Sequence, residues 1–201
     1  MGDCLGRTFF FQEKMEKLED TGEGFFDFKM TDIKGDVVDF ASFKGKYKAY
    51  IIVNVASTCG LTNTNYTQLV RFHDQFEARG LKIMGFPCNQ FLNHEKKSEV
   101  DIEEFIKKKF RVKFQMFSKI EVNGPSCHPL YSFLRRNSEL YDAKTGKCKE
   151  VQWNFVKFIL NQDGKMVAYR PSFDRPETFR PLIEELVTTA ILDKTCDPNF
   201  T

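Results

Sequence analysis

The run Ala49-Tyr50-Ile51-Ile52-Val53-Asn54-Val55-Ala56 constrains the fold more than any other stretch of the chain. It is apolar, rich in β-branched residues and far too short to cross a bilayer, so it reads as a strand buried on both faces. From Tyr66 onward Leu69, Val70, His73 and Phe76 share one face of a helix. Gly80 is placed to cap that helix, and Leu81 to Phe86 forms a second strand. Strand, helix and strand in close succession make a βαβ unit. Its strands are expected to be parallel and joined by a right-handed crossover.

The flanking sequence adds further elements. Phe25 to Met30 is strand-like, Asp32 to Asp36 with Gly35 reads as a hairpin turn, and Val37 to Phe40 supplies the second arm. Helices are expected at about Val100 to Phe110 and at His128 to Arg136, with Ser126 before the latter and Pro129 in its first turn. Asn161-Gln162-Asp163-Gly164 separates two strand-like runs, Asn154 to Leu160 and Lys165 to Arg170. Pro181 opens a closing amphipathic helix. A parallel βαβ half followed by an antiparallel hairpin and a last helix predicts an α/β, thioredoxin-like fold: a central mixed sheet flanked by helices, with an N-terminal hairpin. Residues 11–20 read as a short polar helix. The expected division is an extension over 1–22, helical or mobile, one domain over 23–192, and a tail over 193–201.

Composition narrows the function classes. The chain has 201 residues, about one domain's worth. Its 22 Phe and 6 Tyr supply a core, which excludes a disordered chain. A net charge of +2 argues against a nucleic-acid binder. The 6 cysteines, in a chain with an adequate core and no secretory signal, read as reduced thiols rather than three disulfides, which suits a cytoplasmic protein. Gly2 and Cys4 hint at myristoylation and palmitoylation, although Gly6 stands where that pattern wants Ser or Thr; an unmodified tail is the preferred reading. No Cys/His cluster has zinc spacing, so no metal is expected.

Two features carry chemistry. Cys59 follows the first buried strand and precedes a helix. Active sites of α/β sheets gather at the carboxyl ends of strands. A sulfur at a helix start faces unpaired N–H groups and the positive end of the dipole, which favours the nucleophilic thiolate. On this observation alone an inert buried Cys is as good a reading. Because no C-x-x-C surrounds Cys59, disulfide exchange of the thioredoxin type is not expected. The single Trp, Trp153, and its neighbour Asn154 offer N–H donors that could hold a thiolate or sulfenate, or simply a core aromatic at a strand start.

Together, Asn54-Val55-Ala56-Ser57-Thr58-Cys59-Gly60, Asn65-Tyr66, Phe86-Pro87-Cys88-Asn89-Gln90-Phe91, Met116-Phe117-Ser118-Lys119-Ile120, Val122-Asn123-Gly124 and Trp153-Asn154-Phe155 resemble the glutathione peroxidase family, most closely its monomeric phospholipid-hydroperoxide type in a cysteine form. The resemblance covers roughly residues 25–190. It implies a thioredoxin fold and a thiol peroxidase that reduces hydrogen peroxide and organic or lipid hydroperoxides through a Cys59 sulfenic acid. Trp153 and Asn154 fall on the family's Trp-Asn pair. His94 stands at the position of the family's catalytic Gln, and Leu92, Lys96 and Lys97 replace a Gly, a Pro and a Gly around it. A His can also donate to sulfur, so His94 is expected to stand in for the Gln; the alternative is a drifted loop with His94 in solvent.

The resemblance places Ile106 where two-cysteine relatives carry their resolving Cys. Reduction by glutathione as co-substrate, with no bound cofactor, is therefore expected. Thioredoxin acting through Cys88, Cys127 or Cys148 is the alternative, although each of these reads better as a structural or free thiol. The segment 137–152 is short, as in the family's monomers. The run Lys107-Lys108-Lys109 reads first as a solvated helix face and second as a peripheral membrane contact. Two rival functions stand beside the peroxidase: a redox relay with poor turnover, and a binding module that has lost its chemistry.

Overall fold

The main chain of residues 14–18 and 20–192 is described by a computed structural model. The first strand of the sequence argument is β4, Ala49–Val55, and every residue in it is buried. Around it the strands are β1 (Met15–Glu16), β2 (Lys29–Thr31), β3 (Val37–Asp39), β5 (Leu81–Pro87), β6 (Gln115–Met116), β7 (Tyr141–Asp142), β8 (Lys147–Lys149), β9 (Lys157–Asn161) and β10 (Met166–Arg170). The helices are α1 (Thr62–Phe76), α2 (Glu99–Phe110), α3 (Pro129–Arg136) and α4 (Arg180–Leu192).

The central sheet runs β10-β9-β4-β5-β6. β4 pairs parallel to β5, as the βαβ argument requires, and antiparallel to β9, so the sheet is mixed. Side chains alternate across β4 because a strand has a period of two. Ile51, Val53 and Val55 face one core layer with α1, α2 and α4. Tyr50 and Ile52 face the other, with α3 and the β2–β3 hairpin. The thioredoxin-like plan thus stands with its N-terminal hairpin in place.

Local chemistry sets the helix ends. Gly80 adopts φ 105° after a short 3-10 turn that continues α1, a conformation that costs Gly little. Ser98 caps α2, its hydroxyl accepting from the Asp101 N–H at 3.2 Å. At α3 the cap is His128 rather than Ser126: its ring Nδ1 accepts from the Leu130 N–H at 3.2 Å, with Pro129 following. On α2, Lys107 pairs with Glu103 and Lys108 with Glu104, which fits the solvated-face reading.

The expected strand over Asn154 to Leu160 begins only at Lys157, because the residues before it are held as an irregular turn. A second correction concerns the described part of the segment 11–20, residues 14–18 and 20. In place of a polar helix, Met15–Glu16 pairs antiparallel with Lys149 and Cys148 and adds a strand to the β7–β8 hairpin. Tertiary ion pairs outweigh the weak helical propensity there. Lys14 meets Glu150 at 2.8 Å, Arg136 meets Asp20 at 2.6 Å, and the Glu16 carboxylate takes Arg135. Gly2, Cys4 and residues 193–201, Cys196 among them, lie outside the described residues.

Arg135 is 0% exposed, and its other hydrogen bonds go to the Lys149 and Val122 carbonyls and to the Cys127 sulfur. A buried guanidinium stripped of its carboxylate is expensive. Glu16→Gln is therefore expected to destabilise the fold by about 3 kcal/mol, read as a lower urea midpoint with an unchanged slope.

Candidate active site

Cys59 lies just beyond the end of β4, before α1. Its carbonyl accepts from the Thr62 N–H at 3.0 Å, and its Sγ lies 3.5 Å from the Leu61 N–H. The side chain is nearly buried, in the same packed cluster that Trp153 leans on. The expectation of a sulfur at a strand end and a helix start is met by this geometry.

The loop after β5 folds back onto this point. The Thr58 N–H and hydroxyl both donate to the His94 carbonyl, at 3.1 and 2.7 Å, so His94 is fastened to the residue before Cys59. Ser57 donates to the Glu95 carboxylate at 2.8 Å, and the Glu95 N–H donates to Asn89 Oδ1 at 2.9 Å. Glu95 is fully buried, and burial raises its carboxyl above the ordinary value. Leu92, where the family resemblance expects Gly, is held at φ 52° with its side chain in solvent. That backbone is unfavourable for an L-residue with a side chain.

His94 does not point away from the site. Its Nδ1 is 3.3 Å from Asn154 Nδ2, and its ring meets the Trp153 indole edge-to-face at a centroid distance of 5.6 Å. Three of the expected site residues are thus in contact, and one of them, Trp153, packs against the core cluster that includes Cys59. Among the described residues, the hydrogen bond to the Cys59 sulfur comes from Leu61 and not from these three.

The residues that place Trp153 and Asn154 are two buried amides, and sequence reasoning gave neither a role. Asn54, on β4, donates through Nδ2 to the Trp153 carbonyl at 3.0 Å and accepts through Oδ1 from the Val156 N–H at 3.0 Å. Its own carbonyl accepts from the Phe155 N–H at 2.7 Å. Asn123 does the same on the other side: Nδ2 donates to the Val151 carbonyl and Oδ1 accepts from the Val151 N–H, both at 2.8 Å. Gln90 braces Asn123 in turn, accepting from the Val122 and Asn123 N–H groups and donating to the Asn123 carbonyl. Phe155 is held at φ 64°, which is rare for an aromatic residue and marks a functional turn when the surroundings impose it. The signal in the sequence was a polar residue inside the apolar β4 run.

The other thiols differ from Cys59 in setting. Burial pushes Cys88 up to about 11 and also raises Cys127 and Cys148. Ile106, at the expected resolving position, is packed in the core. Among the described residues, no group of His, Cys, Asp and Glu is arranged to hold a metal ion, and no helix is long and apolar enough to cross a membrane.

Cys59 at this sheet end and the contacting group of Trp153, Asn154 and His94 are thus carried on a mixed sheet of thioredoxin-like plan. A family model described as glutathione peroxidase matches residues 25–135. Glutathione peroxidase 1 of Caenorhabditis elegans is 40% identical over 80% of this chain and 95% of its own length. A probable phospholipid hydroperoxide glutathione peroxidase of Mesembryanthemum crystallinum is 37% identical over 85% of this chain and 96% of its own. The crystal structure of Trgpx in apo form superposes with a TM-score of 0.64 at 32% identity, covering 83% of this chain and 97% of that one. A thiol:disulfide interchange protein of Chlorobium tepidum, at 14% identity and TM-score 0.56 over 80% of this chain and 92% of its own, shares the fold. The chain belongs to the glutathione peroxidase family.

Asn123→Ala removes both partners of a buried peptide group. It is expected to cost about 3 kcal/mol, and the Trp153 emission of the folded variant is expected to shift to the red as the indole loosens.

Proposed function

We propose that Cys59 is the peroxidatic nucleophile of a glutathione-dependent hydroperoxide reductase, with Trp153, Asn154 and His94 as its polar surround. The observation that carries this reading is the double use of His94. Its carbonyl is tied to Thr58 beside the nucleophile, while its ring meets both Asn154 and Trp153.

In the first step the Cys59 thiolate attacks the distal peroxide oxygen. An S–O bond forms, the O–O bond breaks, and Cys59 becomes a sulfenic acid. The alkoxide that leaves takes up the proton that the thiol had lost and departs as an alcohol, or as water from hydrogen peroxide. In the tautomer in which the Asn154 amide donates to Nδ1, the His94 Nε2–H is the donor offered to the developing negative charge. Glutathione thiolate then attacks the sulfenic sulfur: an S–S bond forms, the S–O bond breaks, and the hydroxide that leaves takes up the proton that the glutathione thiol had lost, departing as water and leaving a mixed disulfide. A second glutathione attacks that disulfide, returning Cys59 and giving oxidised glutathione.

Direct reduction by glutathione is favoured over an internal resolving thiol. Cys88, Cys127 and Cys148 are all pushed away from the thiolate form by burial, and a resolving attack needs a thiolate. A recess of about 380 Å³ beside Trp153, lined by Gln90, Asn123 and the Lys14–Glu150 ion pair, offers both charges and amides to a small zwitterionic peptide. In this reading the enzyme works as a monomer in a reducing, cytoplasmic setting. Contact with membranes, through acylation of Gly2 and Cys4 or otherwise, is a further part of the proposal.

The test is a glutathione turnover assay coupled to NADPH consumption, with hydrogen peroxide as substrate. Cys59→Ser is expected to abolish turnover. His94→Ala is expected to lower kcat/KM about 100-fold, as loss of one donor to developing charge does, whereas His94→Gln is expected to stay within about threefold of the parent. Full activity in His94→Ala would remove His94 from the mechanism.

A further inference from the structure

Lys157 opens β9, three residues after Asn154, opposite Val53 of β4. Its side chain is 0% exposed. Nζ donates to the Ser172 carbonyl at 3.3 Å and to the Asp174 carbonyl at 2.6 Å. Those carbonyls belong to the turn after β10, which closes on itself through the Asp174 N–H and the Pro171 carbonyl at 3.0 Å. Burial pulls the Lys157 ammonium down to about 7, while the Asp174 charge acts the other way. A buried lysine that makes its bonds to main-chain carbonyls is a costly way to fix one turn.

The outer side of that turn meets the candidate site at Trp153. Trp153, Tyr169, Pro171 and Phe173, with Gln152 at the edge, line a cleft of about 400 Å³. Phe173 is 78% exposed, a large apolar side chain held out at the cleft mouth. The Trp153 indole is common to this cleft and to the recess lined by Gln90, Asn123 and the Lys14–Glu150 pair. That recess mixes polar and apolar groups; the cleft is walled by rings and a Pro and suits a hydrocarbon.

We propose that this cleft takes the apolar part of an organic hydroperoxide, laid against the Trp153 indole, and that Lys157 is the positioning residue that fixes its far wall through Ser172 and Asp174. The inference rests on Cys59 being the peroxidatic residue. Lys157 touches neither peroxide nor sulfur; it acts through the turn. Hydrogen peroxide has no apolar part and does not use the cleft, so discrimination between peroxides is the signature of this role.

The experiment compares second-order rate constants for loss of the Cys59 thiol, by acid quench and mass spectrometry, with hydrogen peroxide and with cumene hydroperoxide. The proteins are the parent, Phe173→Ser and Lys157→Met. Both variants are expected to keep the hydrogen peroxide rate within about twofold and to lose about 5- to 10-fold with cumene hydroperoxide, the size expected for removing part of an apolar pocket. Phe173 is in solvent, so its variant tests the cleft even if Lys157→Met does not fold. An equal change for both peroxides, or none for either, in Phe173→Ser would overturn the inference while leaving Cys59 peroxidatic. A parent protein that reacts with hydrogen peroxide no faster than a free thiol would instead overturn the peroxidase reading and this inference with it.

Discussion

Between Val151 and Val156 the chain belongs to no strand or helix although Val151, Asn154, Phe155 and Val156 are buried, and buried peptide groups must find partners. Asn54 and Asn123 supply them from either side. An asparagine amide presents one acceptor and two donors in a plane, so it can stand in for a neighbouring strand's backbone. Asn54 does this from within β4, the strand whose end carries Cys59. The same strand therefore aims both the sulfur and the Trp153-Asn154 pair. The strained φ of Phe155 is the local cost of turning those two residues inward, and the Phe155 N–H bond to Asn54 helps to hold it.

Catalysis in this family needs donors placed ahead of the charge that develops when the O–O bond breaks. Placement here comes from clamps on loops rather than from regular elements. Thr58 ties the His94 loop to Cys59, Gln90 ties the same loop to Asn123, and Asn123 ties the Trp153 segment. His94 takes up a place in this net where the family resemblance expects a Gln, and its ring closes on Asn154. In the proposed reading, the two recesses that share Trp153 divide the substrates, the one beside Gln90 and Asn123 taking the reductant and the one walled by Tyr169, Pro171 and Phe173 taking a hydroperoxide tail.

Much of this was legible from periodicity. The β4, α1 and β5 pattern is strong because one strand is wholly apolar and the helix shows a clean face, and its placement of Cys59 followed directly. What escaped the sequence reading depends on partners far away in the chain. Met15 and Glu16 look helical until Arg135, more than a hundred residues on, is seen to need a carboxylate. The strand expected from Asn154 starts late because Asn54 bonds to the peptides that would have joined the ladder. Asn54 itself is visible as a polar residue in a core strand, but its role appears only when the segment it serves is folded against it. His94 could be placed by alignment with the motif, whereas its orientation depended on contacts with Asn154 and Trp153.

In the proposed reading, Asn54 couples the strand bearing Cys59 to the Trp153-Asn154 turn and so makes the cysteine a fast peroxidase. Stopped-flow fluorescence of Trp153 on mixing reduced protein with hydrogen peroxide tests it most directly, in the parent and in Asn54→Ala of unchanged far-ultraviolet circular dichroism. The parent is expected to react at least about 100-fold faster than free cysteine, and Asn54→Ala to lose about 10-fold or more through misplaced donors. An Asn54→Ala protein that folds and reacts as fast as the parent would contradict the account.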